Sequence, residues 1–279
     1  MKLVRYGAPG QEQPGLVDKA GGLRSLAGHV QDIEASLLGD AAVVARLAAL
    51  APESLPQVSG EPRLGCPLAG IGKIVGVGLN YHDHARECGA AIPTEPILFL
   101  KATTSLCGPN DDIRLPESAE KTDWEVELGI MVGRQAKSVS RENALDHVFG
   151  YCVAHDVSER GHQLERGGQW TKGKSHDTFC PTGPWLVSAD EIPDPQALAM
   201  WCDVDGRRLQ SSSTAEMIFG VAEVVSYISQ FMTLMPGDLI ITGTPAGVGL
   251  GQKPPFYLKA GNTVRLGIAG LGEQQQTVV

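Results

Sequence analysis

Glu125 and Glu127, in Thr122-Asp123-Trp124-Glu125-Val126-Glu127-Leu128-Gly129-Ile130-Met131-Val132-Gly133, put two carboxylates on one face of an otherwise apolar strand. Side chains alternate along a strand, so the two point the same way with Cα atoms roughly 6 to 7 Å apart. Ionised carboxylates about 4 Å apart repel by roughly 4 kcal/mol at an effective dielectric near 20, and a divalent cation between them turns that repulsion into attraction. An edge strand with both glutamates in water has the same pattern. Downstream, the run from Phe149 to Arg160 reads as a second buried strand ending in Asp156. Three carboxylates with water suit a hard ion that prefers oxygen, Mg²⁺ or Mn²⁺ in octahedral geometry or the larger Ca²⁺. No Cys or His pair stands at a zinc spacing.

His84 and Glu87 stand three apart in Asn80-Tyr81-His82-Asp83-His84-Ala85-Arg86-Glu87. On a helix they would be neighbours, the carboxylate orienting the imidazole and stabilising its protonated form; an exposed polar helix also carries such pairs. His82 is a rival base. In Thr171-Lys172-Gly173-Lys174-Ser175, two lysines occupy a turn where a fixed cation could neutralise an enolate or a carboxylate. Thr242-Gly243-Thr244-Pro245-Ala246-Gly247-Val248-Gly249 follows the strand Asp238–Ile241. It lacks the Lys-Ser/Thr of a P-loop and the helix of a dinucleotide fingerprint. It is either a structural turn or a set of backbone N–H and Thr244 hydroxyl donors for a substrate carboxylate.

The elements that must position these residues fall into two parts. Residues 1–68 form a small lead-in domain with short strands at Lys2–Tyr6 and Pro14–Asp18, a helix within Asp40–Leu50, and a linker broken by Pro52, Pro56, Pro62 and Pro67 that ends near Cys66. Residues 69–279 form the main domain, where apolar strands alternate with Gly and Pro turns and the clearest helices run from Arg141 to Val148 and from Thr214 to Phe231. Strands outnumber helices without alternating as βαβ units, which predicts an α+β fold built on mixed sheets.

Composition narrows the function. With 42% hydrophobic residues over 279, the chain has ample core. Its 23 Lys and Arg against 32 Asp and Glu leave a net charge of -9 with no basic cluster, which argues against nucleic acid as a partner. Six scattered cysteines without a C-x-x-C, and a start lacking a signal-like apolar stretch, predict a cytoplasmic protein with reduced thiols. Apolar runs are far shorter than the ~20 residues of a membrane helix, so no membrane association is expected.

The chain resembles the fumarylacetoacetate hydrolase superfamily from Ile74 to about Leu271. The likeness rests on Val77-Gly78-Leu79-Asn80-Tyr81 with His84 and Glu87, Pro96-Ile97-Leu98-Phe99-Leu100-Lys101, Trp124–Leu128, His155-Asp156-Val157-Ser158-Glu159-Arg160, Gly173–Phe179 and Thr242–Gly249. Gln163–Lys172 and Leu250–Pro255 lean toward bacterial hydrolases of 2,4-diketo-3-deoxy sugar acids of the L-rhamnonate and L-fuconate type. The resemblance implies a β-roll or sandwich of mixed sheets, a homodimer, and a divalent ion (Mg²⁺, Mn²⁺ or Ca²⁺) on Glu125, Glu127 and Asp156. It also implies His84 with Glu87 as the base, Lys174 as the electrostatic partner, and Arg160 and Gln163 holding the far part of a small keto acid substrate. The expected reaction is hydrolytic C–C cleavage of a 2,4-diketo acid to pyruvate and a small hydroxy acid. Oxaloacetate decarboxylation and isomerisation of an unsaturated dioic acid pass through a similar enolate. A metal- or dicarboxylate-binding dimer without turnover would need no base.

Overall fold

The computed structural model describes all 279 residues. Its centre is a ten-stranded mixed sheet to which both halves of the chain contribute. The N-terminal segment supplies β1 (Lys2–Tyr6), β2 (Gln13–Val17) and β3 (Leu23–Ser25), then helices α1 (Ala35–Gly39) and α2 (Ala41–Ala48). Asp40 caps α2 by accepting from the Ala42 and Val43 N–H groups, satisfying two donors that a helix start leaves free. The chain then gives β4 (Ile74–Gly78), α3 (His82–Cys88), β5 (Ile97–Lys101), the short β6 (Leu106–Cys107) and β7 (Thr122–Asp123), and β8 (Val126–Val132). Strand β9 (Val148–His155) is followed by β10 (Ser158–Glu159), the single turns α4 (Arg160–Leu164) and α5 (Thr171–Lys174), and β11 (Cys180–Ser188). Last come β12 (Ala199–Val204), β13 (Arg207–Ser213), α6 (Val221–Phe231), β14 (Leu239–Ile241), β15 (Thr263–Ile268) and β16 (Gly272–Thr277).

In the large sheet the order is β3-β2-β1-β11-β9-β8-β14-β4-β5, with β6 on β11; β13-β12-β15-β16 form a second sheet and β7 pairs with β10. Period-two alternation sorts the buried side chains. Val75, Val77, Leu128, Ile130, Tyr151, Val153 and Ile240 face the second sheet and α6, meeting Met200, Val204, Leu266, Val224 and Ile228. Ile74, Met131, Cys152, Ala154, Leu239 and Ile241 face the other way, onto Leu3, Leu16, Leu26, Ile33, Leu37 and Leu47. The expected mixed-sheet α+β architecture is therefore present. Residues 1–68 extend the main sheet through the β1–β11 pairing and cover its second face.

Three local expectations need correction. Arg141–Val148 holds only a 3₁₀ turn at Ala144–His147 and then enters β9; only Ala144 in that turn is buried, so no apolar stripe stabilises a longer helix. The helix expected from Thr214 begins at Val221, because the Phe219 N–H and C=O are taken by the Asn80 side chain. Trp124 and Glu125 lie between β7 and β8 rather than within one strand, since the two strands pair with different partners and Asp123 Oδ1 accepts the Trp124 N–H.

Candidate active site

Register explains how the three acidic residues meet. In the β8–β9 ladder Glu127 lies opposite Ala154 and Val126 opposite His155. One step further, the Asp156 N–H donates to the Glu125 carbonyl at 3.0 Å, so Glu125 and Asp156 prolong the ladder past its last strand residues. Alternation sends Glu125, Glu127 and Asp156 to the same side, and one carboxylate oxygen from each lies within 4.8 Å of the others. All three are buried, which rules out an edge strand in water.

The cluster is held by cations and donors from distant segments. Lys174 Nζ lies 2.5 Å from Glu125 and 2.6 Å from Asp156, and Lys101 Nζ is 2.5 Å from the other Asp156 oxygen. Arg160 ion-pairs with Glu125 at 2.7 Å and Asp123 at 2.8 Å, and its Nη1 donates to Gln163 Oε1. Glu127 receives only the Gly243 N–H, at 2.7 Å. Burial opposes ionisation of Glu125, but Lys174 and Arg160 overcome it and hold its carboxyl far below the usual range. For Glu127, burial and then the Asp156 and Glu125 charges push the carboxyl well above that range. The site thus lacks a positive charge beside Glu127. An all-oxygen donor set with that deficit fits a hard divalent ion.

A helix would make His84 and Glu87 neighbours, and α3 is that helix: His84 Nδ1 is 3.0 Å from Glu87 Oε2. The other Glu87 oxygen accepts the Gly247 N–H at 2.9 Å, so the Gly-rich loop orients the dyad. Burial favours neutral His84, but hydrogen bonding to Cys88 and Glu87 outweighs it and raises the imidazole to about 9. His82 does not line this cavity. Of the two lysines in α5, Lys172 is exposed and bonds the Arg166 carbonyl, whereas Lys174 is buried in the acidic cluster.

Thr244, read as a donor to substrate, lines the cavity but spends its hydroxyl elsewhere. It donates to the Val126 carbonyl at 2.9 Å and accepts from Gln210 at 2.8 Å. The loop's N–H groups likewise serve protein carboxylates: Gly243 on Glu127, Gly247 on Glu87, and Gly249 and Leu250 on Asp123. The loop therefore acts as scaffolding for the site. Arg160 and Gln163 reach the cavity wall, Arg160 with its charge already paired. Lys101, Asp123 and Gln210 were not singled out by sequence reasoning. The apolar run Ile97–Leu100 closing on a lysine, within a segment that already carried the family resemblance, is the signal that could have found Lys101.

His84, Glu125, Glu127, Arg160, Gln163 and Lys174 line one cavity of about 310 Å³. No helix in the structure is long and apolar enough to cross a membrane. Residues 73–279 match the family model described as fumarylacetoacetate (FAA) hydrolase C-terminal. A relative from Burkholderia multivorans, provisionally named a hydrolase, is 58% identical over 277 residues, covering 99% of this chain and 98% of its own. Among solved structures, the fumarylacetoacetate hydrolase of Exiguobacterium antarcticum superposes with a TM-score of 0.88 at 36% identity over 100% of this chain and 99% of the other. The maleylpyruvate hydrolase of Sphingobium sp. SYK-6, solved with manganese(II) and pyruvate, gives 0.83 at 29% identity over 100% and 99%.

Proposed function

Because the chain belongs to the fumarylacetoacetate hydrolase family, we propose that it is a divalent-metal-dependent hydrolase cleaving the C3–C4 bond of a 2,4-diketo acid, giving pyruvate and a second acid. The observation that carries this reading is His84, backed by Glu87, lining the same cavity as Glu125 and Glu127, because hydrolysis needs a base for water whereas binding alone does not. A relative solved with manganese(II) and pyruvate supports the metal and the product.

Glu125, Glu127 and Asp156 are the residues that would hold Mg²⁺ or Mn²⁺, which would supply a Lewis acid to stabilise the negative charge of the keto acid and its enolate. With Nδ1–H donated to Glu87, neutral His84 presents Nε2 to take a proton from water, which attacks C4. The C3–C4 electron pair passes into a pyruvate enolate, whose oxygen Lys174 Nζ neutralises, and a proton returns to C3. Burial opposes the charged form, but hydrogen bonds to Cys88 and Glu87 raise His84 to about 9, so the neutral form that the reaction uses grows as pH rises toward that value.

For the substrate tail we propose a 2,4-diketo-3-deoxy sugar acid. Gln163 lines the cavity with its Oε1 taken by Arg160, and its amide nitrogen makes no hydrogen bond within the protein, suited to a tail hydroxyl. Turnover in ¹⁸O-water should place one solvent oxygen in the carboxylate of the non-pyruvate product, and His84→Ala should lower kcat by roughly 10² to 10⁴ while leaving metal affinity intact. Mass spectrometry and calorimetry read both. Efficient CO₂ release from oxaloacetate without cleavage of any 2,4-diketo acid would replace this reading with a decarboxylase.

A further inference from the structure

Beyond the reacting groups, the cavity has an apolar outer wall. Phe99 and Trp170 form its base, their ring centroids 5.6 Å apart. Both are seated on glycines of β4: a Cβ at Gly76 would lie 2.2 Å from Phe99 and one at Gly78 2.2 Å from Trp170. Leu79, Ala90, Ile97, Leu164 and Leu250 complete the rim, and Ile97 and Leu164 are 39% and 45% exposed. Arg160 and Lys174 are the only cationic side chains on the lining apart from His84 when protonated. Arg160 is already paired with Asp123 and Glu125, and Lys174 with Glu125 and Asp156.

We propose that this wall is a specificity subsite for an uncharged substrate tail ending in a methyl or similar hydrocarbon group, and that it rejects keto acids whose far end carries a second carboxylate. The proposal rests on the reading of the site as one for 2,4-diketo acids and narrows it. A distal carboxylate seated on Phe99 and Trp170 loses water and meets no unpaired cation on the lining, whereas each methylene placed there gains roughly four-fold in binding. Gln163 can serve one hydroxyl, and the Thr244 hydroxyl on the same lining is already engaged by Val126 and Gln210.

The test uses the full-length Mg²⁺-loaded enzyme and chain-matched pairs. Values of kcat/KM are compared for 2,4-dioxoheptanoate and 2,4-dioxoheptanedioate, and calorimetric Kd for 2-oxohexanoate and 2-oxohexanedioate. The methyl-ended acid should be favoured by about 100-fold or more in each pair. Leu164→Arg, an exposed rim change, should shift the ratio toward the dioate by about 10-fold or more. Equal or better handling of the dioates by the wild type, or an unchanged ratio in Leu164→Arg, overturns the subsite. Absence of cleavage of every 2,4-dioxo acid would sink the hydrolase reading alone, since the binding pair still decides the tail preference.

Discussion

Asp123, Glu125, Glu127 and Asp156 bring four carboxylates together with only Lys101, Lys174 and Arg160 as permanent cations. The deficit falls on Glu127, whose carboxyl is raised by burial and by the Asp156 and Glu125 charges. Below that raised pKa the metal-free protein keeps a proton on Glu127, and a divalent ion must displace it. Metal affinity should therefore rise with pH through that range, and binding should release a proton. Calorimetric heats of Mg²⁺ binding should vary with the ionisation enthalpy of the buffer. Glu127→Gln should remove most of that variation and weaken binding about 10-fold or more. Buffer-independent heats in the wild type would show Glu127 already ionised.

At the scale of elements, the junction between β7 and β8 does most to assemble the site. Asp123 ends β7, accepts the Trp124, Gly249 and Leu250 N–H groups, and pairs with Arg160. One carboxylate thus ties the strand break to the Gly-rich loop and to α4. Gly247 turns that loop at φ +106°, where a Cβ would sit 1.9 Å from the Leu209 carbonyl, and its N–H reaches Glu87. Asp123→Ala leaves two buried N–H groups without acceptors and Arg160 with one partner fewer. It should lower stability by about 3 kcal/mol, the lower end for a broken buried pair because Glu125 still pairs with Arg160. Chemical denaturation checks this; a change within about 0.5 kcal/mol, typical of an uninvolved surface position, would mean the junction is held elsewhere.

Across the whole molecule, the first 68 residues act as the cover of the main sheet. Leu3, Leu16, Leu26, Ile33, Leu37 and Leu47 bury the face that carries Ile74, Met131, Leu239 and Ile241, and β1 continues the sheet from β11. The first 68 residues share both the main sheet and its apolar face with the rest of the chain, and we propose that both parts unfold as one cooperative unit. A fragment spanning 69–279 exposes this apolar face and the β11 edge and should aggregate or bind hydrophobic dyes strongly. Gel filtration and denaturation of the fragment are the check. A monodisperse fragment with the stability of the full chain would make the lead-in segment an independent domain.

The sequence by itself determined the mixed-sheet class, because strands outnumber helices without alternating as βαβ units. Alternation placed Glu125 and Glu127 on one face and i, i+3 spacing made His84 and Glu87 neighbours on a helix, but each pattern also suited a solvated surface. Only the family resemblance pointed to the grouping with Asp156, which the β8–β9 register brings about. The helix at Thr214 starts later than expected because local composition does not register the Asn80 side chain claiming Phe219 from 139 residues away, and the one at Arg141 shrinks to a 3₁₀ turn because only Ala144 is buried there. Only the tertiary structure decided that Lys101 sits on Asp156 and that Asp123 clasps Arg160 and the loop. It alone committed the Thr244 hydroxyl to Val126 and Gln210. These pairings join residues 34 to 126 positions apart, and buried polar groups find such partners only when the β8–β9 register and the packing of α4, α5 and the Gly-rich loop have fixed their places.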